Sequence, residues 1–338
     1  MMKKEFGTLP TGETAYVYTI SHGSMSAEIC DYGATLVRLY VPDAAGNIDD
    51  VVLGYDDVNG YANSTTYFGA TVGRNANRIR QGRFTLGSKN YQLAANNGPN
   101  NLHSGPDSYA YRFWKVAEYT ESSITFTMDS PDGDQGFPGN AQIRVTYSLC
   151  APATLRLTYY GICDQDTVFN LTNHSYFNLA GHEKTERAMQ QLLTLPARFF
   201  TPSDEESIPT GELRKVDGTP MDFRMPKPVG QDLDADYEPL HFQQGYDHNF
   251  EIYTAPGAIL HDSISGRTMS VITDLPGIQF YSGNYLNDQG KDGVYYAKRT
   301  GLALETQYYP DSVNHPEWPQ PITPANTPYR TETRYEFT

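Results

Sequence analysis

QIRVTYSL, residues 142–149, decides the fold class: Ile143, Val145, Tyr147 and Leu149 alternate with Arg144, Thr146 and Ser148. Strict alternation of this kind puts the two sets on opposite faces of a β-strand, one buried and one wet. The same period of two runs through TAYVYTI (14–20), ATLVRLYV (34–41), SITFTM (123–128) and TLRLTYY (154–160). Turn-forming residues separate such runs, as in VPDAAGNIDD, GPNNLHSGPDS and SPDGDQGFPGN. Long amphipathic helical patterns with caps are missing, which argues against a βαβ architecture. The expected fold is therefore all-β, a large antiparallel sandwich with one buried face per sheet.

Over 338 residues the 29 glycines and 22 prolines are spread without a linker, a low-complexity block or a short repeat. One domain spanning residues 1–338 is expected, since β-sandwiches often run past 200 residues as one unit. A formal charge of −15 argues against nucleic acid, an anionic membrane surface or any other polyanion as partner. Cys30, Cys150 and Cys163 are odd in number and lack CxxC spacing, so neither a disulfide framework nor a zinc site is indicated. No apolar run follows the two lysines of MMKKEFGTLPTGE, and no stretch of 18 apolar residues occurs; a soluble, cytoplasmic protein is expected. The 26 tyrosines suit half-buried sheet faces, and also the surfaces on which sugar rings stack.

Five segments hold more polar functional groups than strand and turn chemistry requires. GATVGRNANRIRQGRF (69–84) carries Arg74, Asn75, Asn77, Arg78 and Arg80; NNGPNNLHSG (96–105) carries His103; and NLTNHSYFNLAG (170–181) carries His174 among side chains that favour strand ends. GYDHNFEI (245–252) places Asp247 and His248 at the start of a strand. In GLALETQYYPDSVNHPEWP (301–319), Glu305 lies an odd number of steps from Leu302 and Leu304, so on a strand it points away from both and shares a face with Ala303. A carboxylate in so apolar a strand is costly to bury without partners, which marks it as a functional candidate. The set includes metal-ligand types, but no HxH or HExxH pair, and no metal is expected. DSPDGDQGFPGN (129–140) lacks the flanking helices and terminal glutamate of an EF-hand and reads as a turn. No GxSxG elbow is present. One or two imidazoles with one or two carboxylates suit general acid and base catalysis on a small, polar, neutral molecule.

The segments NRIRQGRFTLGSKNYQLAANNGPNNLHSG, SPDGDQGFPG, LTNHSYFNLAG, YDHNF, PGIQFYSGNYL and LALETQYYPDSVNHP resemble, in order and spacing, those of the aldose 1-epimerase (galactose mutarotase) family. That resemblance covers nearly the whole chain. It implies a mutarotase-like β-supersandwich that holds a free aldose in an open cleft. Acid and base transfer needs no cofactor, and a monomer or homodimer is expected. Carried over position by position, it makes Glu305 the catalytic base, His174 the catalytic acid and His103 the second histidine of the site. Asn77, Arg78, Asp247 and Gln279 match residues that hold sugar hydroxyls. Ser104 departs from the pattern, since a glycine is expected after the first histidine. The same resemblance leaves a non-catalytic sugar-binding protein and a hexose-phosphate 1-epimerase as alternatives, and Asp247 with Glu305 would be the carboxylate pair of a glycosidase. A carboxylate near His174 would be expected to keep that imidazole charged.

Overall fold

The computed structural model describes residues 2–338. The opening stretch lies in the strand Ala141–Cys150, paired residue for residue with Thr154–Cys163 across a short turn at Ala151, Pro152 and Ala153. These two strands sit in a nine-stranded antiparallel sheet. Its spatial order is Lys115–Tyr119, Ser123–Ser130, Ala141–Cys150, Thr154–Cys163, Tyr329–Phe337, Thr268–Thr273, Ala258–His261, Leu192–Thr194 and Lys227–Pro228. Each strand seen in the alternation pattern is present, and SPDGDQGFPGN is the connection between Ser123–Ser130 and Ala141–Cys150.

A six-stranded antiparallel sheet packs against the first, in the order Tyr176–Phe177, Leu302–Gln307, Gly277–Tyr281, Asp247–Glu251, Phe199–Thr201 and Arg214–Lys215. Five N-terminal strands, Met2–Thr8, Thr14–His22, Met25–Cys30, Thr35–Pro42 and Ile48–Asp50, form a third sheet. A bridge between Val52 and Phe177 joins the third sheet's end to the second. The α-helices among the described residues are short, Val58–Asn63 and Glu238–Gln243, and none is long and apolar enough to cross a membrane.

The main core lies between the sheets. Ile143, Val145, Tyr147, Leu157 and Tyr335 of the large sheet meet Phe250, Ile278, Phe280, Leu302 and Leu304 of the second. Burying each such side chain contributes on the order of 1.5–3 kcal/mol. Tyr147 satisfies its buried hydroxyl by donating to the Ala34 carbonyl at 2.6 Å. All three cysteines are free thiols; Cys30 and Cys163 are buried and Cys150 is half-buried. Because alternate residues of the six-stranded sheet face this core, the other half of each strand faces away from it. That second face carries the polar groups.

Candidate active site

Antiparallel register assembles the carboxylate side of the site. Gln279 pairs with Glu305 and with Asn249, while Tyr281 pairs with Asp247 and with Ala303. Leu302 and Leu304 face the core, and Thr306 reaches across it to Thr333 of the large sheet at 2.6 Å. Glu305 is thereby forced onto the opposite face with Ala303, as the odd spacing requires. His248 follows the same rule with the other outcome: it points into the interior, its ring 5.8 Å from that of Phe200, and takes no part in the site.

The imidazole side comes from turns held by their own polar residues. His174 lies between the short strands Thr172–Asn173 and Tyr176–Phe177, with its main chain pinned by bonds to Ala70 and Gly69. Asn173 donates to the Gly69 carbonyl at 2.7 Å and accepts from the Ser175 hydroxyl at 2.6 Å, so the polar neighbours of His174 fix its backbone. His103 is likewise buried. Its Nδ1 accepts the main-chain N–H of Asn77 at 3.1 Å, and its own N–H donates to the Asn77 carbonyl at 3.0 Å. Ser104, where the family pattern has glycine, adopts φ of 70°, the left-handed conformation that glycine takes most readily. Its hydroxyl offsets the strain, accepting from Asn75 N–H at 2.8 Å and donating to the Asn75 carbonyl at 3.1 Å.

The basic cluster of residues 74–83 is dispersed by the fold. Arg74 is fully buried in the scaffold, bonded to the Pro138 carbonyl at 2.7 Å, Ser130 Oγ at 2.6 Å and Thr167 Oγ1 at 3.1 Å. Arg80 and Arg83 are exposed. Only Arg78 reaches the cleft, steadied by Asn97 Oδ1 at 2.9 Å.

The cleft has a volume of about 510 Å³, and Asn77, Arg78, His103, His174, Asp247 and Glu305 all line it. Gln279 stands behind Asp247 rather than in the wall, donating to Asp247 Oδ1 at 2.7 Å. His174 Nε2 lies 3.5 Å from Glu305 Oε1, with both side chains nearly closed off from solvent. The two imidazole rings are 5.3 Å apart and edge to face.

Tyr67, which the sequence did not single out, packs on both: its ring is 4.8 Å from that of His103 and 5.8 Å from that of His174. Its φ of 57° is unusual for a bulky aromatic. Tyr176, Tyr281, Tyr285 and Phe242 also line the cleft and were equally unmarked. A tyrosine at a strand end in a tyrosine-rich chain carries no signal of its own.

Burial governs the electrostatics. It pushes the Glu305 carboxyl well above the usual carboxylate range, and the neighbouring charge of Asp247 pushes the same way, while Arg78 opposes them. Asp247 is raised by burial too, against Arg78 and the Gln279 bond. Burial drives His174 down to about 4, against a hydrogen bond to the backbone, contrary to the expectation that a nearby carboxylate keeps it charged; Glu305, 3.5 Å away, is itself pushed toward its neutral form. His103 falls well below its ordinary value through burial, then His174 and Arg78. One ligand atom each from His103, His174 and Glu305 lie within 4.8 Å of one another, a donor set of the kind that takes a cation. The guanidinium of Arg78, close enough to act on both His103 and Glu305, works against a second positive charge there.

A profile of the aldose 1-epimerase family matches residues 16–336. A galactose mutarotase from Bos taurus is 40% identical over 98% of this chain and 97% of its own length. An aldose 1-epimerase from Escherichia coli K12 is 34% identical over 100% of this chain and 99% of its own. Among solved structures, an aldose epimerase homologue from C. elegans superposes with a TM-score of 0.89 at 30% identity, covering 96% of this chain and 99% of that one.

Proposed function

The chain belongs to the aldose 1-epimerase family, and from that premise we propose that it interconverts the α and β anomers of free aldohexoses such as galactose and glucose, with Glu305 as base and His174 as acid. The observation that carries the assignment is the His174–Glu305 contact of 3.5 Å on the wall of the cleft. Ring opening removes the proton from the C1 hydroxyl and delivers one to the ring oxygen. Those two oxygens hang from the same carbon, so the base and the acid that serve them must be neighbours. Glu305 takes the hydroxyl proton and His174 protonates O5; the C1–O5 bond opens to the aldehyde. Rotation about C1–C2 and the reverse transfers then close the other anomer.

The same burial that depresses His174 and raises Glu305 favours the transfer itself. The productive pair before transfer is carboxylate and imidazolium, a form that burial makes scarce in the sugar-free site; afterwards it is carboxylic acid and neutral imidazole. A dry site disfavours the first and favours the second, which lowers the energy of the state that accompanies the open-chain sugar. Arg78 moderates the tendency at Glu305 and keeps its carboxylate accessible. His103 has its Nδ1 occupied by Asn77, so its remaining nitrogen serves as a fixed donor to a sugar oxygen. Asn77, Arg78 and Asp247 orient the hydroxyls from the cleft wall, and Gln279 does so through Asp247.

Acid and base transfers of this kind need no cofactor, each positioned group contributing about 10² to 10⁴ in rate. We further read residues 1–338 as one working unit, supported by a core cluster drawing on strands from Thr14–His22 to Tyr329–Phe337. Three free cysteines suit a reducing, cytoplasmic setting, and we take the enzyme to act there as a monomer or homodimer. Polarimetry of freshly dissolved α-galactose and α-glucose tests the activity. Acceleration over buffer is expected, and its absence would overturn the assignment.

A further inference from the structure

More than half of the buried side-chain polar atoms without a hydrogen-bond partner among the described residues surround one strand, Leu302–Gln307. They are Thr172 Oγ1, His174 Nδ1, both polar atoms of Asn249, Gln279 Oε1, Glu305 Oε2 and both polar atoms of Gln307. Buried amides are normally bonded, so such a concentration calls for a reason. Asn249, Gln279 and Gln307 are 1%, 3% and 0% exposed. Register puts them on the face that carries Glu305: Asn249 beside Gln279, Gln279 beside Glu305, and Gln307 two residues along from Glu305 and opposite Gly277. Gly277 has no side chain to separate them. A Cβ there would collide with Asn249 Oδ1 and crowd the Tyr309 ring, so the Asn249 carboxamide lies over Gly277, next to Gln307, with Tyr309 as cover.

None of Asn249, Gln279 and Gln307 lines the cleft, so they do not act as its sugar-facing wall. Their unsatisfied donors and acceptors are nonetheless complementary. Asn249 Nδ2 and Gln307 Nε2 lack acceptors, while Gln279 Oε1 and Glu305 Oε2 lack donors on neighbouring register positions. Gln279 already donates to Asp247 at 2.7 Å. Hydrogen bonds at catalytic groups are commonly long in a sugar-free enzyme and tighten when substrate arrives.

Resting on the assignment of Glu305 as base, we propose that Gln307 and Asn249 are positioning residues: with sugar bound, Gln307 Nε2 donates to Glu305 Oε2 and Asn249 Nδ2 to Gln279 Oε1, directly or through one enclosed water. The carboxamide row then braces both cleft carboxylates from behind, Glu305 through Gln307 and Asp247 through Gln279. The charged and titratable groups of other elements that act on Glu305 or respond to it are His174, His103, Asp247, Arg78, Tyr176 and, from the core side, Tyr335. None of them supplies a donor to Oε2. A donor to the carboxylate stabilises its charged form, so losing it raises the pH at which Glu305 gives up its proton.

The test is Gln307→Met, with Asn249→Leu beside it, in mutarotation kinetics on α-galactose across pH and in thermal melts. An apolar side chain of similar volume leaves no unpaired amide, so the melting temperature holds or rises. The rate constant kcat falls about tenfold or more, and the limb of the pH profile set by Glu305 moves to higher pH. In a Glu305→Gln background the Gln307→Met change adds no further loss, because it acts through the base. An active wild type with an unshifted profile and unchanged kcat in Gln307→Met overturns the positioning role alone. An inactive wild type instead overturns the epimerase assignment. Should Gln307→Met fail to fold, the sugar-bound wild-type crystal structure decides. Gln307 Nε2 within about 3.2 Å of Glu305 Oε2, or joined to it by one water, supports the proposal, and neither arrangement overturns it.

Discussion

The main-chain N–H of Asn77 donates to Nδ1 of His103 at 3.1 Å, and His103 returns a main-chain bond to Asn77. The imidazole therefore carries its proton on Nε2 and cannot take a second without breaking the first bond. His103 and His174 lie 5.3 Å apart with different duties: one is a fixed donor, the other a group whose proton moves.

That difference separates two variants. His103→Gln should lower kcat/KM by about 10- to 100-fold while keeping the shape of the pH profile, because the residue does not titrate in the working range. His174→Asn and Glu305→Gln should each lose at least about 10²-fold in kcat and change that shape. Mutarotation rates between pH 4 and 9 distinguish the two patterns. A His174→Asn enzyme with near-normal kcat would move the acid role elsewhere.

The limb of the profile that Glu305 sets should lie above the ordinary carboxylate range. Burial raises Glu305 first, and the charge of Asp247 adds to it, so its carboxyl gives up its proton at a higher pH than a free glutamate would. Asp247→Asn removes the repulsion and should shift that limb to lower pH, together with a higher KM from the lost sugar contact. A limb that stays in place would mean that Asp247 does not act on the base.

Acid stability carries a second signature. His248 sits in the interior against Phe200 and is held down to about 3 by burial, whereas in the unfolded chain it titrates near 6.5. Between those values the unfolded state binds more protons, so stability falls as pH drops from about 6.5 toward 3. His248→Gln should flatten part of that decline in melting temperature, and an unchanged slope would assign the acid sensitivity to other groups.

Ser104 offers a test of backbone strain. Its φ of 70° costs any residue with a Cβ, and its hydroxyl supplies both bonds to the Asn75 main chain. Ser104→Ala keeps the strain and loses the bonds, a loss of about 1–3 kcal/mol. Ser104→Gly loses the same bonds but relieves the strain, and should be more stable than the alanine variant by roughly 1 kcal/mol. Equal denaturant midpoints for the two would show that the conformation is unstrained.

Long strands were legible because alternation over seven or more residues, as in QIRVTYSL, is a local signal of a surface half in water. Two-residue strands such as Thr172–Asn173 and Tyr176–Phe177 have no period to read and exist only through the partners Thr71–Val72 and Leu302–Gln307. In the site, Glu305 stood out as a charge in an apolar strand, and the turn chemistry around His174 marked a strand end. Tyr67 left no trace, because its left-handed backbone and its contacts with two imidazoles arise from residues far away in sequence. His248 misled by adjacency to Asp247, although strand alternation already sends neighbours to opposite faces. Asn249 and Gln307 passed as ordinary polar residues, since the register that aligns them beside Glu305 is a tertiary fact.

The strand Leu302–Gln307 serves the interior with one set of residues and the chemistry with the other. A shift of its pairing by a single position would turn Glu305 into the hydrophobic interior and lift Leu304 to the solvent side, a state too costly to persist. The chain thus has no stable misaligned form in which this strand is seated but the carboxylate is misplaced. Folding acts as its own proofreading step for the base, and each molecule that completes its interior delivers Glu305 to the correct side.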